Sequence, residues 1–343
     1  KKVIGKGSPT FIIAEMSANH GGDFNKAIEI IHKAKACGAD AVKLQTYTAD
    51  TITIDCNKAD FLLSDPDLWD GHKNFYSLYK NAYTPWEWHK ALMEEAKKIG
   101  IEIFSAPFDE TAVDFLEELD VVAYKVASPE ITDIPLIKKI GATGKPVILS
   151  TGVAELEDLC LAVKTLQEHG CNEIIILKCT TAYPAPPEEI NLLTLPHMSE
   201  MFDCFVGISD HTLGIGVPVA SIALGGKVIE KHFTLDNADD SLDAFFSLEP
   251  AAFKDMVGEV RRVEKALGSV TYSLTKTAQK NIRGRRSLYV AEDVKKGEAL
   301  TLKNVKSVRP GFGMHPKYRD EIIGRIFAED FKKGDRLSWA CIV

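Results

Sequence analysis

Gly207-Ile208-Ser209-Asp210-His211-Thr212 and, after a Gly-rich amphipathic span, Val228-Ile229-Glu230-Lys231-His232-Phe233-Thr234 are the segments whose reading decides the fold. Each is a short apolar run that ends abruptly in Ser, Asp, His or Glu, the pattern of a buried strand whose tip carries chemistry. A helix-sized insert separates them, so they are expected to be neighbouring parallel strands of a βαβ unit. That arrangement brings His211 and His232 to one edge although they lie 21 positions apart. Two neutral imidazoles with the carboxylates of Asp210 and Glu230 beside them suit a divalent transition metal with open coordination positions. Two separately satisfied histidines would be the plainer reading of an arbitrary pair; matched placement at two strand tips favours the metal.

The same grammar repeats along the chain. Apolar runs predict strands at Phe11–Glu15, Ala41–Gln45, Ile101–Ser105, Val121–Ala127, Pro146–Ser150, Glu173–Cys179, Val206–Ser209 and Val228–His232. Helical spacing falls between them, for example over Asp23–Cys37, Trp86–Lys98, Glu155–His169 and Pro250–Leu267. The strand tips are polar: Glu15, Lys43, Ser105, Lys125, Ser150, Lys178, Ser209 and His232. Strand–helix alternation with chemistry at the tips predicts an α/β fold, a (β/α)8 TIM barrel with its active site on the C-terminal rim. A doubly wound open sheet competes, but no Gly-rich dinucleotide turn follows the first strand. The Tyr47–Tyr83 insert, with Phe61, Trp69, Phe75, Tyr76 and Tyr79, is too long for a plain βα loop and reads as a lid or binding loop. A packing excursion over the barrel side is the alternative.

Beyond residue 268 the pattern changes. Residues 269–285 are polar and basic and read as a linker to a compact second domain over 286–343, leaving 1–268 for the barrel. In that domain Asp293-Val294-Lys295-Lys296-Gly297 and Asp330-Phe331-Lys332-Lys333-Gly334 stand 37 residues apart, with Leu300 and Leu337 at the same offset. Pseudo-repeated halves are therefore expected, with a core small enough to gain stability by docking elsewhere.

Bulk composition narrows the function classes. The chain has 343 residues, 45% hydrophobic and 26% charged, with a net charge of −8. That charge gives no hint of a nucleic-acid or anionic-membrane surface. An anionic substrate would need locally placed Lys and Arg. Seven cysteines without a CxxC spacing argue for a reducing compartment, and the apolar runs are too short to span a bilayer, so a cytoplasmic protein is expected.

Several segments, met in this order, carry a resemblance: Ala14-Glu15-Met16-Ser17-Ala18-Asn19-His20, Ala41-Val42-Lys43-Leu44-Gln45-Thr46, Tyr124-Lys125-Val126-Ala127-Ser128, Leu149-Ser150-Thr151-Gly152, Gly207 to Thr212, and Val308-Arg309-Pro310-Gly311. Together they make the whole chain similar to the sialic acid synthase family. Its members condense phosphoenolpyruvate with a hexose-type aldehyde to give a nonulosonic acid, and join a barrel to a β-rich antifreeze-like (SAF) domain. Met16-Ser17-Ala18 in place of an Ile-Gly-containing segment, Ala106 for Thr, Pro129 for Gly and Thr181 for Asn resemble the pseudaminic acid branch. The acceptor implied is 2,4-diacetamido-2,4,6-trideoxy-L-altrose; a sialic or legionaminic acid acceptor is the alternative, and a barrel aldolase a remoter one.

The phosphate and carboxylate of phosphoenolpyruvate need converging cations and hydroxyl donors. Lys125 and Lys43 are the natural cations, and Ser128, Ser150 and Ser209 the donors, as the family pattern also implies. Glu15 and Glu230 are candidates for handling protons, with Lys125 counted beside them as catalytic, although either glutamate would also serve as a lysine's ion-pair partner. The resemblance assigns Mn²⁺ or Mg²⁺ to His211 and His232, whereas imidazoles alone would favour zinc. It also places Asn19, Gln45, Thr181, Tyr183 and Asp243 around the substrates, and Arg309 over the sugar end from the partner chain of a domain-swapped homodimer. His20 reads as no more than a packed loop histidine.

Overall fold

In a computed structural model, residues 2–63 and 71–343 are described. Trp69 lies outside them. The chain divides into two compact units, Lys1–Gly268 and Ser269–Val343. The first is a closed barrel of eight strands in chain order: β1 Phe11–Glu15, β2 Ala41–Thr46, β3 Glu102–Pro107, β4 Tyr124–Val126, β5 Val147–Ser150, β6 Ile174–Cys179, β7 Phe205–Asp210 and β8 Val228–His232. Every neighbouring pair is parallel, and β1 closes on β8 with Glu15 opposite His232. Helices follow the strands, from α1 (Phe24–Cys37), capped by the Asp23 carboxylate and stopped by left-handed Gly38, to the last barrel helix, Pro250–Leu267.

Because successive strand residues face opposite sides, each strand contributes two different sets of side chains. Inward-facing Phe11, Ile13, Phe104, Ile148, Ile175, Leu177 and Val228 fill the lower barrel. Outward-facing Ile12, Ala14, Val42, Leu44, Ile208 and Ile229 pack under the helices with Ile30, Ile31, Leu92 and Phe253. Burying each large apolar side chain contributes roughly 1.5–3 kcal/mol, so the lower barrel is solid and chemistry is confined to the strand tips.

Strand β4 is shorter than the sequence predicts. Asp120 turns the chain with φ 51°, and the Val121 N–H caps the preceding helix by donating to Leu116 O. Val121 therefore packs at a helix end, and Val122 is exposed. The Tyr47–Tyr83 insert holds α2 (Ala49–Ile52) and α3 (Phe75–Ala82).

In the second unit, β9 (Ser287–Val290) pairs antiparallel with β10 (Val305–Val308). The stretch read as a linker carries a short helix, Lys276–Lys280, and a 3-10 turn, Ile282–Gly284. The repeated halves exchange partners reciprocally. Lys295 pairs with Asp330 and Lys332 with Asp293, while the Lys296 and Lys333 N–H groups donate to the same two carboxylates. Val294 bridges Phe331, and Leu300 and Leu337 are both buried.

Gly207 marks the point of closest approach between β7 and β8: a Cβ there would lie 2.1 Å from Val228 O. Backbone cannot retreat from such a contact without breaking the pairing that aligns His211 with His232. Gly207→Ala should therefore cost about 3 kcal/mol or more in thermal or denaturant unfolding. Gly216→Ala, with no atom within 4 Å, should stay within about 0.5 kcal/mol of the parent. Equal stabilities would refute the close-approach argument.

Candidate active site

The inward parity of the strand tips assembles a cavity of about 320 Å³ at the C-terminal end of the barrel. Its floor is ionic. Lys43 Nζ lies 2.9 Å from Glu15 Oε2 and 3.2 Å from Glu230 Oε1, and Lys125 Nζ donates to Glu230 Oε1 at 2.9 Å. Ser209 Oγ donates to the same Glu230 oxygen at 3.2 Å. All four charged groups are almost fully buried. Removing one member of such a set strands an uncompensated charge, at about 3–5 kcal/mol, so the array holds together as a unit.

The two glutamates differ because their neighbours differ. Burial would push Glu230 up, but Lys125 and Lys43 together outweigh it and hold the carboxyl at about 2. Burial also raises Glu15; there Lys43 compensates only in part and Glu230 adds repulsion, leaving it at about 7. Lys125, pushed down chiefly by burial, and Lys43, drawn up by its two carboxylates against burial, complete the set.

Around this floor stand hydroxyls with bonding capacity to spare. Ser150 Oγ and Thr181 Oγ1 are buried without a hydrogen-bond partner, as are Glu15 Oε2 and Glu230 Oε2, the former held only by its ion pair with Lys43. Ser128 Oγ accepts from the Gly152 N–H at 2.9 Å. A Cβ on Gly152 would come within 2.0 Å of Thr181 Oγ1 and 2.7 Å of Ser128 Oγ, so that glycine keeps the space between the hydroxyls open.

His211 and His232 meet at this end with ring centroids 5.3 Å apart, and Tyr183 lies 4.4 Å from the His211 ring. His211 Nδ1 donates to Thr180 O at 2.9 Å, which directs its Nε2 lone pair elsewhere. His232 Nδ1 is buried without a hydrogen-bond partner, 3.8 Å from Asp243 Oδ2. Burial first, then His211 and the lysines, hold His232 well below the ordinary imidazole range, so it is neutral and able to donate a lone pair. His211 is displaced upward, burial being outweighed by Cys179 and the Thr180 carbonyl. The two imidazoles are the groups present for a divalent ion that keeps open positions, with the Asp243 carboxylate nearby; among the described residues no group of three or more His, Cys, Asp or Glu is placed to hold a metal ion.

Some candidates lie elsewhere. Asp210 is not beside the histidines: it has outward parity and pairs with Lys231, whose Nζ also donates to Thr212 O. Lys178, likewise outward, donates to Cys179 O, and Ser105 bonds Thr46 beside His89. Asn19 is fully buried and absent from the cavity wall. Its amide donates to Phe233 O and Ser247 Oγ and its oxygen accepts from Ser241, clipping down the loop that carries Asp243. His20 accepts from the Gly22 N–H, bonds Thr84 and is held neutral, at about 4, by burial. Gln45, Tyr183, Ser209 and Asp243 do line the cavity. Arg309 directly follows β10 in the second unit.

Other cavity residues were not singled out from sequence as site residues. Tyr47, Leu63, Phe75, Leu78, Tyr79, Ala82 and Phe108 form an apolar wall, most of it from the insert. Ser17 and Cys179 line the cavity too; burial pushes the Cys179 thiol up, but His211 and Ser128 more than offset it, leaving about 7. Outside that lining, Glu130, just after β4, is raised to about 7 by burial, with Oε2 unpartnered. Inward parity would have pointed to Cys179; the wall depends on how the insert folds back.

A closed (β/α)8 barrel with lysines, glutamates, free hydroxyls and two histidines converging at its C-terminal rim defines a barrel enzyme with an anion-binding active site. Residues 30–272 match the NeuB family and residues 285–343 the SAF domain. The chain belongs to the NeuB family, that of the sialic acid synthases. It is 45% identical to a pseudaminic acid synthase of Campylobacter jejuni over 327 residues, 95% of each chain. It is 42% identical to the pseudaminic acid synthase of Helicobacter pylori, over 96% of this chain and 97% of that one. Among solved structures, the N-acetylneuraminic acid synthetase of Leptospira borgpetersenii superposes with a TM-score of 0.71 at 31% identity, covering 82% of this chain and 93% of that one.

The raised Glu15 carboxyl has a measurable signature. Its folded value of about 7 exceeds the free value of 4.5. Its contribution to stability is therefore complete below pH 4.5 and is lost as pH rises through 7. Glu15→Gln removes that loss, so its melting temperature relative to wild type should climb between pH 5 and pH 8 in metal-free buffer. A difference independent of pH would show that Glu15 is an ordinary carboxylate.

Proposed function

We propose that this cavity condenses phosphoenolpyruvate with 2,4-diacetamido-2,4,6-trideoxy-L-altrose to give pseudaminic acid, releasing phosphate by C–O cleavage. The observation that carries the reading is the floor of Lys43 and Lys125 beneath the unspent hydroxyls of Ser150 and Thr181. The 45% identity to a pseudaminic acid synthase supports the choice of acceptor.

Carbon 3 of phosphoenolpyruvate forms a bond to the aldehyde carbon, and the carbonyl electron pair moves to oxygen, which takes a proton. Positive charge develops at carbon 2 and is shared with the bridging oxygen. Water adds there and loses a proton, and the tetrahedral centre gives up its hydroxyl proton as it expels phosphate with the bridging oxygen and its electron pair, leaving the 2-keto acid. Lys43 and Lys125 hold the anionic groups, and Ser128, Ser150 and Thr181 supply donors. Glu230, ionised between the two ammoniums, keeps them fixed and faces the cationic carbon. Glu15, near half-protonation at neutral pH, is matched to taking up and returning the water's proton. His211 and His232, with Asp243 alongside, would hold Mn²⁺ or Mg²⁺; such an ion supplies Lewis-acid polarisation of a carbonyl oxygen when bound.

With Mn²⁺ and both substrates, the protein should release inorganic phosphate, and ¹⁸O at the bridging position should leave with it. Label retained in the sugar acid would overturn C–O cleavage, and turnover of pyruvate without phosphate would replace the reaction by an aldol addition. His211→Ala and His232→Ala should each lower release by about two orders of magnitude or more while melting near wild type. Normal rates in metal-depleted buffer would remove the ion from the reading.

The second unit belongs to the same reading: Arg309 of one copy completes the active site of the other in a domain-swapped homodimer. Its planar fork suits an acetamido carbonyl or a hydroxyl. Arg309→Ala and Lys125→Ala homodimers should be nearly inactive. Refolded together they should recover up to about a quarter of wild-type activity, since random pairing makes half the dimers mixed, each with one intact site. A mixture that stays inactive while mixed dimers form would place the arginine outside the partner's site.

A further inference from the structure

Four described non-glycine residues adopt positive φ: Ser17 at 44°, Asp120 at 51°, Asn191 at 51° and Asp203 at 46°. Asp and Asn enter the left-handed region readily because their short polar side chains bond locally. All three of those residues are exposed. Ser17 is neither Asx nor exposed: it is 6% accessible, lies on the cavity wall and follows β1 two residues after Glu15. Glycine would hold the same conformation without the steric cost, so a serine kept there has a use for its side chain.

The use is visible in its bonds. Ser17 Oγ accepts from Gln45 Nε2 at 2.9 Å, and the next N–H of the same turn, that of Ala18, donates to Asp243 Oδ2 at 3.4 Å. The other Gln45 amide proton goes to Glu15 Oε1 at 3.0 Å. The turn at Ser17 thus links Asp243, on the loop after β8, to Gln45 on β2 and through it to Glu15 on β1. The Asp243 backbone is anchored separately: Ser247 Oγ donates to Asp243 O at 2.6 Å, and Asn19 donates to Ser247 Oγ at 2.9 Å. Losing the Ser17 hydroxyl would therefore leave the Gln45 amide held by Glu15 alone, without releasing the loop.

These residues occupy one arc of the barrel, around β8, β1 and β2. Ser128, Ser150 and Thr181, the donors assigned to phosphoenolpyruvate, stand at the ends of β4, β5 and β6 on the opposite arc, with one lysine on each side, Lys43 on β2 and Lys125 on β4. Whatever Gln45 and Asp243 touch is accordingly the second substrate.

We infer that Ser17 is a positioning residue for the acceptor sugar: its left-handed turn holds the hydroxyl where it fixes the Gln45 amide and aims the following N–H at Asp243. The inference rests on the reaction proposed above. Two variants separate its parts. Ser17→Ala keeps the strained backbone and loses the hydroxyl, whereas Ser17→Gly loses both. Both should raise the KM for the acceptor by about tenfold, as expected for a lost buried hydrogen-bond network, while the KM for phosphoenolpyruvate stays within about twofold. Ser17→Gly should melt above Ser17→Ala. An unchanged acceptor KM in either variant, both KM values rising together, or Ser17→Ala melting as high as Ser17→Gly would overturn the inference. The same split is readable without turnover, as an acceptor-induced rise in melting temperature present in the wild type and lost in both variants. A wild type that binds the acceptor but releases no phosphate overturns only the reading of the reaction.

Discussion

Two lysines and two glutamates confined to the end of one barrel set the terms for the rest of the site. A buried ion is tolerated only when opposite charge and hydrogen bonds replace the water it lost. Here Lys125 has no carboxylate to itself: one Glu230 oxygen serves both lysines and Ser209, while Glu15 serves Lys43 and accepts from Gln45. This unequal sharing makes two residues of one type behave differently, one ionised across the working pH range and the other poised near neutrality. It also leaves Glu230 Oε2 without a hydrogen-bond partner on a residue that lines the cavity, and Glu15 Oε2 with only its ion pair to Lys43. The array depends in turn on closure of the sheet, because β1, β2, β4 and β8 can point at one another only across a barrel.

Around that array the work is divided by element. Strand tips from β4 to β6 supply hydroxyls and an open glycine. The β7 and β8 tips supply imidazoles, and the insert after β2 supplies an apolar wall. Residues outside the cavity brace the β7 and β8 tips and the loop that follows. The buried Lys231–Asp210 pair ties β7 to β8 from the outside of the barrel, and Asn19 pins the Asp243 loop. In the second unit the same economy appears as symmetry: two Asp–Lys–Lys turns answer each other across the repeated halves. That interlocking stabilises a domain whose apolar core is small.

The sequence by itself determined the barrel, the polar strand tips, the histidine pair at adjacent strand ends and the repeated halves of the second domain. Each follows from local pattern: period-two burial, helix-sized spacing and a motif repeated at a fixed offset. Even the misplaced residues were within reach of that pattern. Ser105, Lys178 and Asp210 sit at strand tips but have outward parity, and counting back from Glu15, Lys43, Ser209 and His232 separates them from the residues that reach the cavity.

Tertiary structure alone decided who partners whom. Nothing local distinguishes Glu15 from Glu230, because the difference lies in how many ammoniums reach each across the barrel. Asn19 resembles a substrate-facing residue in its motif, yet loop atoms more than 200 positions away consume its amide. The apolar wall exists only once the insert folds over the rim. The strain at Ser17 is likewise a property of backbone held by its surroundings. Charge sharing, loop anchoring and strain all depend on contacts between distant segments, and those distances are set by closing the sheet.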